Sequence, residues 1–313
     1  MKYIDRGGEL VYVQPFAAKG VHFYGFLLPA DAGVLQEKLC DRYLNEPSGG
    51  ATKFRPAAPL VLLVFCKLDS LNSEAPPYSD YGWFAEQEAA IWVLTVDEQR
   101  ETMLWAFPYI WVDNAYAMPM GREIYGFPKG LGTFNVPNSP QEANEFSVDA
   151  LALKTFSPET EGTVERIIEV KRVLGEGATT EWDDIGGAGK AILETLGYGL
   201  EDGDFWGDLK LAYNSIEDLI NGRVPFVFLK QFRDVADGTQ ACYQSIVEVT
   251  CKATKFYSGG LLSGQYEVNI ADLASHPIIA DLGLTGNKIS PLLSYWTYFD
   301  FEIGPGVEIW KGQ

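Results

Sequence analysis

Near the middle of the chain a lysine lies in an unusual setting. In Gly121-Arg122-Glu123-Ile124-Tyr125-Gly126-Phe127-Pro128-Lys129-Gly130-Leu131-Gly132 an aromatic-Pro pair precedes Lys129 and glycines flank it, inside a hydrophobic region. An ammonium held there away from water is disfavoured, which lowers its pKa toward the free amine that attacks a carbonyl. A lysine beside a Gly-rich turn is otherwise a solvated surface residue, so the segment by itself leaves both readings open. Other chemistries have less to stand on. Gly186-Gly187-Ala188-Gly189-Lys190-Ala191 looks like a phosphate loop, yet Asp184 stands where a Walker A needs Gly and Ala191 where it needs Ser or Thr. Ser258-Gly259-Gly260 and Leu262-Ser263-Gly264 lack the flanking glycines of a nucleophile elbow. His22 and His276 are far apart and have no HExxH spacing, so a zinc enzyme or a Ser-His triad would rest on a single imidazole. Cys40, Cys66, Cys242 and Cys251 show no CxxC spacing and read as reduced thiols, with Cys66 and Cys251 in strand-like segments. Acid and base chemistry must then come from carboxylates, lysine or tyrosine.

The elements that would carry such groups are mostly strands. Val21 to Leu28, Pro59 to Cys66, Gly82 to Val96 and Thr102 to Val112 are rich in aromatic and β-branched residues and are bounded by Gly, Pro, Asp or Ser. Asp31 is placed to cap a helix over Ala32 to Leu44, where apolar and charged residues separate into two stripes. After the turn Val136-Pro137-Asn138-Ser139-Pro140, strands are expected at Glu145 to Phe156 and Thr163 to Val173. They return at Val224 to Gln231, Gln240 to Thr254, Leu262 to Val268 and Pro291 to Ile303. No repeat of 20 to 50 residues is present, which argues against a solenoid or propeller.

Between Leu174 and Asn221 the composition changes. Eleven acidic residues stand against two lysines, a net of −9, and nine residues are glycine. Short helices are expected over Ala188 to Leu196 and Asp208 to Ile220. The segment reads as an acidic insertion at about 174–221 in a β-protein, either a solvated surface excursion or a lid or subunit contact. The whole chain, 313 residues with a formal charge of −19, is acidic enough to argue against nucleic acid or an anionic membrane as partner. Met1 to Glu9 lacks the apolar run of a signal peptide, and no stretch approaches the ~20 apolar residues of a membrane span. A cytoplasmic protein is the expectation.

The segment Asp113 to Lys129, with its Gly121-Arg122-Glu123 and Phe127-Pro128-Lys129, resembles the signature of the acetoacetate decarboxylase family, in which an aromatic-Pro-Lys carries the Schiff-base lysine. Gly82-Trp83-Phe84-Ala85-Glu86 resembles the family segment that presents an active-site glutamate. Leu229-Lys230 and the run from Ala241 to Phe256, followed by Ser258-Gly259-Gly260, resemble its closing strands. The resemblance spans most of the chain outside the acidic insertion and implies a single domain over 1–313. It implies a mainly β (α+β) fold, a cone-shaped, mostly antiparallel β-barrel with a few peripheral helices, an apolar pocket, no metal or organic cofactor, and a homo-oligomer. By carry-over Lys129 is the amine nucleophile and Glu86 the acid/base, with Arg122 and Glu123 supporting. Trp83, Tyr116, Tyr125 and Phe127 are pocket candidates.

The departures from the family shape the functional expectation. Gly130 stands where the family has a second lysine, so desolvation alone is left to lower the Lys129 pKa. A second family glutamate aligns with Val64, and an early-strand arginine falls near Val21, between Lys19 and His22. The expected activity is that of a Schiff-base-forming lyase decarboxylating a β-keto acid other than acetoacetate, the aromatic residues near the motifs pointing to a larger one. Aldol condensation or dehydration through the same iminium, and a non-catalytic binding barrel, are the alternatives.

Overall fold

The computed structural model describes residues 2–4, 11–180, 182–184, 186–187 and 222–312. The chain opens with β1 (Phe16–Pro29) and a helix α1 (Ala32–Leu35) that runs on in π-helical form through Gln36–Asn45. Then come β2 (Phe54–Pro56), β3 (Leu60–Ser73), β4 (Phe84–Asp97) and β5 (Thr102–Val112). A short helix α2 (Ala117–Met120) continues as a π-turn over Gly121–Tyr125 and leads into β6 (Lys129–Leu131) and β7 (Thr133–Asn135). β8 (Glu145–Ala152) and β9 (Thr163–Leu174) precede the acidic segment; β10 (Arg223–Arg233), β11 (Ala241–Leu261) and β12 (Gln265–Ile270) follow it. Helix α3 (Ile278–Leu282), β13 (Lys288–Ile289), β14 (Leu293–Ile303) and β15 (Val307–Lys311) complete the chain. The mainly β composition, the helix after Asp31 and the principal strands agree with the sequence reading. Asp31 does cap that helix, accepting from the Val34 amide.

The larger sheet closes on itself. Its neighbours run β4-β3-β1-β14-β11-β10-β5, and β5 pairs back onto β4, so seven strands form a ring. The pairings are antiparallel except for the short contacts of β5 with β10 and with β6. Closure removes the exposed edges that an open sheet of this length would present. A second sheet, β13-β12-β9-β8-β7, packs on the outside.

Alternation along the ring strands divides two cores. On β4, Ala89, Ile91 and Val93 join a core shared with Phe146 and Val148 of β8 and Ile168 of β9. Ala90 and, packed against them, Trp92 belong to the other, inside the ring, with Phe107, Phe226 and Val249. Phe146 holds the two sheets together: it is fully buried, with its ring 5.0 Å from Tyr24, 5.1 Å from Phe26 and 5.5 Å from Phe65.

The helices expected over Ala188 to Leu196 and Asp208 to Ile220 lie outside the described residues. Of the described part of the acidic segment, Leu174 to Glu176 are exposed, whereas Ala178, Thr179 and Trp182 are tied to the barrel. Ala178 bridges to Leu262 and Trp182 to Gly259, and the Trp296 indole N–H donates to the Thr179 carbonyl. Gly260 makes room for this, because a Cβ there would stand 2.2 Å from the Thr179 oxygen. Among the described residues no helix is long and apolar enough to cross a membrane.

The inter-sheet role of Phe146 is testable. Phe146→Ala is expected to cost about 3–5 kcal/mol in urea unfolding; a loss below about 1 kcal/mol would show that the sheets hold together without it.

Candidate active site

Lys129 reaches the inside of the ring because of how residues 113–129 fold. Asn114 Oδ1 accepts from the Tyr116 and Ala117 amides and starts α2. The following π-turn ends at Gly126, whose amide and that of Phe127 both donate to the Gly121 carbonyl, at 3.0 and 3.1 Å. Gly126 has φ +91°, and a Cβ on it would meet the Lys230 backbone at 2.7 Å, so the position admits only glycine on both counts. Gly121 makes space of another kind: a Cβ there would stand 2.8 Å from Lys129 Cδ. Beyond Pro128 the chain turns extended and Lys129 pairs with Ile110 of β5. Arg122 Nη1 donates to the Lys129 carbonyl at 3.1 Å, fixing the backbone that carries the amine.

The Lys129 amine meets two carboxylates from β4. Its Nζ lies 3.0 Å from Glu86 Oε1, as a hydrogen bond, and 3.6 Å from Glu88 Oε2. Lys129 and Glu86 are buried at 9% and 2% exposure. Glu86 Oε2 is buried and has no hydrogen-bond partner among the described residues. Glu88 keeps 16% of its side-chain area accessible, on the wall of the cavity described below.

These contacts correct the expected electrostatics. Burial is the largest influence on Lys129 and acts to lower its pKa, but Glu86 and Glu88 together outweigh it, and the amine is held above the usual lysine value. The resting amine is therefore an ammonium beside Glu86 and Glu88. Burial pushes Glu88 up to about 7, against the pull of Lys129 and with that of Glu86. Glu88 was not singled out in the sequence, although its signal was there: residues two apart on a strand share a face, so Glu86 and Glu88 must point together. Val64, aligned with the missing family glutamate, is fully buried on β3 and pairs with Ala90.

These three charged groups sit in the wall of a cavity of about 200 Å³ inside the ring. Its other lining residues are apolar or uncharged, with aromatic side chains the largest group, and no arginine lines it among the described residues. Tyr125 and Phe127 contribute rings, the Tyr125 hydroxyl being engaged by the Gly304 carbonyl at 2.8 Å. Trp83 and Tyr116 do not line it; both are exposed, at 66% and 42%. Their segments flank the site, but Trp83 precedes β4 and Tyr116 precedes α2, so their side chains remain outside the ring. Glu123 is exposed, while Arg122 acts on the backbone as stated. The cavity thiols Cys66 and Cys251 are pushed up by burial and stay protonated at neutral pH. Lys19 is exposed and His22 stacks on Tyr298 at 4.4 Å; neither lines the cavity. Among the described residues no group of three or more His, Cys, Asp or Glu is arranged for a metal ion.

Comparison with known proteins agrees with this architecture. Residues 52–157 match the model of the family described as Acetoacetate decarboxylase (ADC). An acetoacetate decarboxylase from Legionella pneumophila subsp. pneumophila str. Philadelphia 1 superposes with a TM-score of 0.64 at 12% identity, over 99% of this chain and 93% of that one. An acetoacetate decarboxylase-like enzyme from Sphingomonas wittichii RW1 gives 0.60 at 15% identity, over 100% and 99%. The enduracididine biosynthesis enzyme MppR, complexed with pyruvate, gives 0.58 at 15% identity, over 96% and 93%. The sequence has no match among the curated proteins. Residues 52–157 thus resemble the acetoacetate decarboxylase family in sequence pattern, and the chain resembles solved acetoacetate decarboxylases in fold over nearly its whole length.

Proposed function

We propose that the protein is a Schiff-base-forming carbon–carbon lyase that decarboxylates a β-keto acid through an iminium on Lys129. The observation that carries this reading is the amine of Lys129 at 3.0 and 3.6 Å from two carboxylates, in the wall of an otherwise apolar cavity. The amine must lose a proton before it can attack. A charged pair in a dry cavity is costly, so a ligand that displaces water drives the proton from Nζ onto a carboxylate. Glu88, held up at about 7, gives a smaller mismatch with the amine than an ordinary carboxylate would.

The free amine adds to the keto carbon, and the carbinolamine oxygen takes a proton from Glu88 and leaves as water. The resulting iminium lies beside Glu86, whose carboxylate stabilises its charge. The C–C bond to the substrate carboxylate then breaks, its electron pair moving into the C–C–N system to form an enamine as CO2 departs. Glu86, with Oε2 unpartnered, is the acid/base: once the iminium charge is gone it takes up one proton from solvent and passes it to the enamine carbon. Water addition then releases the ketone and restores Lys129. These steps use only protein side chains and water, and the ligand is a small-molecule keto acid.

A second reading, aldol condensation or dehydration through the same iminium and enamine, is favoured by one feature. Apart from Lys129 no cation lines the cavity among the described residues, so nothing else there anchors a substrate carboxylate. MppR has been seen with the condensation product of pyruvate and imidazole 4-carboxaldehyde.

Borohydride reduction with a panel of 2- and 3-keto acids is expected to leave an adduct on Lys129, read by peptide mass and lost in Lys129→Ala. If no carbonyl compound yields an adduct, both enzymatic readings fall and a ligand-binding barrel takes their place. CO2 release against enone formation separates decarboxylation from aldol dehydration. Glu86→Gln is expected to slow turnover by about 10²-fold while leaving the adduct; unchanged turnover would remove Glu86 from the mechanism.

The pH profile tests Glu88. Its raised pKa keeps the acid form populated up to about 7, so a step that needs this acid slows as pH rises through that value. In Glu88→Gln this limb should vanish. A limb that persists unchanged would assign the proton to another group.

A further inference from the structure

The charges of the cavity are gathered at one end, and what lies beyond them is a run of aromatic rings. The Phe127 ring is 5.5 Å from Lys129 Nζ, Phe107 is 5.7 Å from Phe127, and Trp92 stacks on Phe107 at 4.6 Å with the planes 18° apart. Phe23 and Phe226 meet the same indole at 5.6 and 5.3 Å, edge to face. Trp92 lies four residues beyond Glu88 on the same face of β4, about 13 Å farther along the strand.

The volume points the same way. An apolar cavity of roughly 150 Å³ accommodates benzene, and this one is about 200 Å³. The methyl group of acetoacetate would occupy only the charged end and leave the aromatic part without a partner. A flat or extended apolar group would fill it, with rings on which to stack. The Trp92 N–H has no acceptor among the described residues.

We propose that the group attached to the reacting carbonyl is aromatic, or an apolar chain of similar length, lying along Phe127 and Phe107, and that Trp92 sets the limit of its length. The proposal rests on the Lys129 chemistry given above for what is attacked, and on the cavity alone for what is held.

The two are tested apart. In wild type, CO2 release is compared for acetoacetate, 3-oxohexanoate and 3-oxo-3-phenylpropanoate; kcat/KM should rise about 10-fold or more from the first to the last. Trp92→Ala should move the preference toward a naphthyl substrate over phenyl by a similar factor, and Trp92→Phe should restore much of the original ranking. In Lys129→Met, confirmed folded by circular dichroism, calorimetry should show 4-phenylbutan-2-one binding at least 10-fold tighter than butan-2-one. That result with no wild-type adduct would sink the Schiff-base reading and leave the cavity assignment standing. Equal affinities for the two ketones, equal turnover of acetoacetate and the phenyl compound, or a ranking unmoved by Trp92→Ala would each overturn the assignment.

Discussion

The site depends on a balance between desolvation and charge. A lysine alone in this aromatic interior would lose its proton, and two buried glutamates alone would gain theirs. With its Nζ 3.0 and 3.6 Å from Glu86 and Glu88, Lys129 stays an ammonium and in turn opposes the burial that raises Glu88. The arrangement is stable only while those distances hold, because removing one partner leaves an unpaired charge in a cavity with little else to solvate it. Much of the surrounding structure maintains those distances: Gly121 yields space to the lysine stem, Gly126 brings the loop onto β10, and Arg122 grips the Lys129 carbonyl.

This balance differs from one in which a neighbouring ammonium depresses the lysine pKa by repulsion. Gly130 cannot supply that repulsion, and a side chain there would meet Trp111 at 3.5 Å, an ordinary contact. Proton transfer within the Lys129, Glu86 and Glu88 cluster takes its place. Acidic neighbours raise the resting pKa of the amine, yet they also supply the acceptor for its proton once the cavity is dry. The same two carboxylates suit a cationic iminium better than they suit an incoming anion.

The strands of the ring and the helix after Asp31 were legible in the sequence, because alternation and capping are local signals. The glycines and aromatic-Pro pair marked Lys129 as unusual but left a surface residue open, and the choice of both Lys129 and Glu86 rested on the resemblance. Glu88 follows from strand periodicity, one strand repeat beyond Glu86 on the same face, but lies outside the motif that ends at Glu86. Trp92 could not be placed, because its neighbours Phe107 and Phe226 come from β5 and β10, and only closure of the ring brings these strands together. The short strands β2, β6, β7, β13 and β15 were likewise invisible, being defined by their pairing partners and hardly by their composition. Trp83 and Tyr116 show the converse: nearness in sequence to a motif says little about which side of a barrel wall a ring will occupy.

One strand, β4, carries two sets of residues that cannot be separated. Glu86, Glu88 and Trp92 point into the ring, while Ala89, Ile91 and Val93 between and beside them hold the second sheet. Inserting or deleting a single residue within this strand would exchange the two sets, sending carboxylates into the inter-sheet core and aliphatic residues into the cavity. Strand β4 therefore tolerates substitution far better than a change of length. The chain that leaves β9 is under no such constraint and is tied back to the barrel through backbone contacts at Ala178, Thr179 and Trp182.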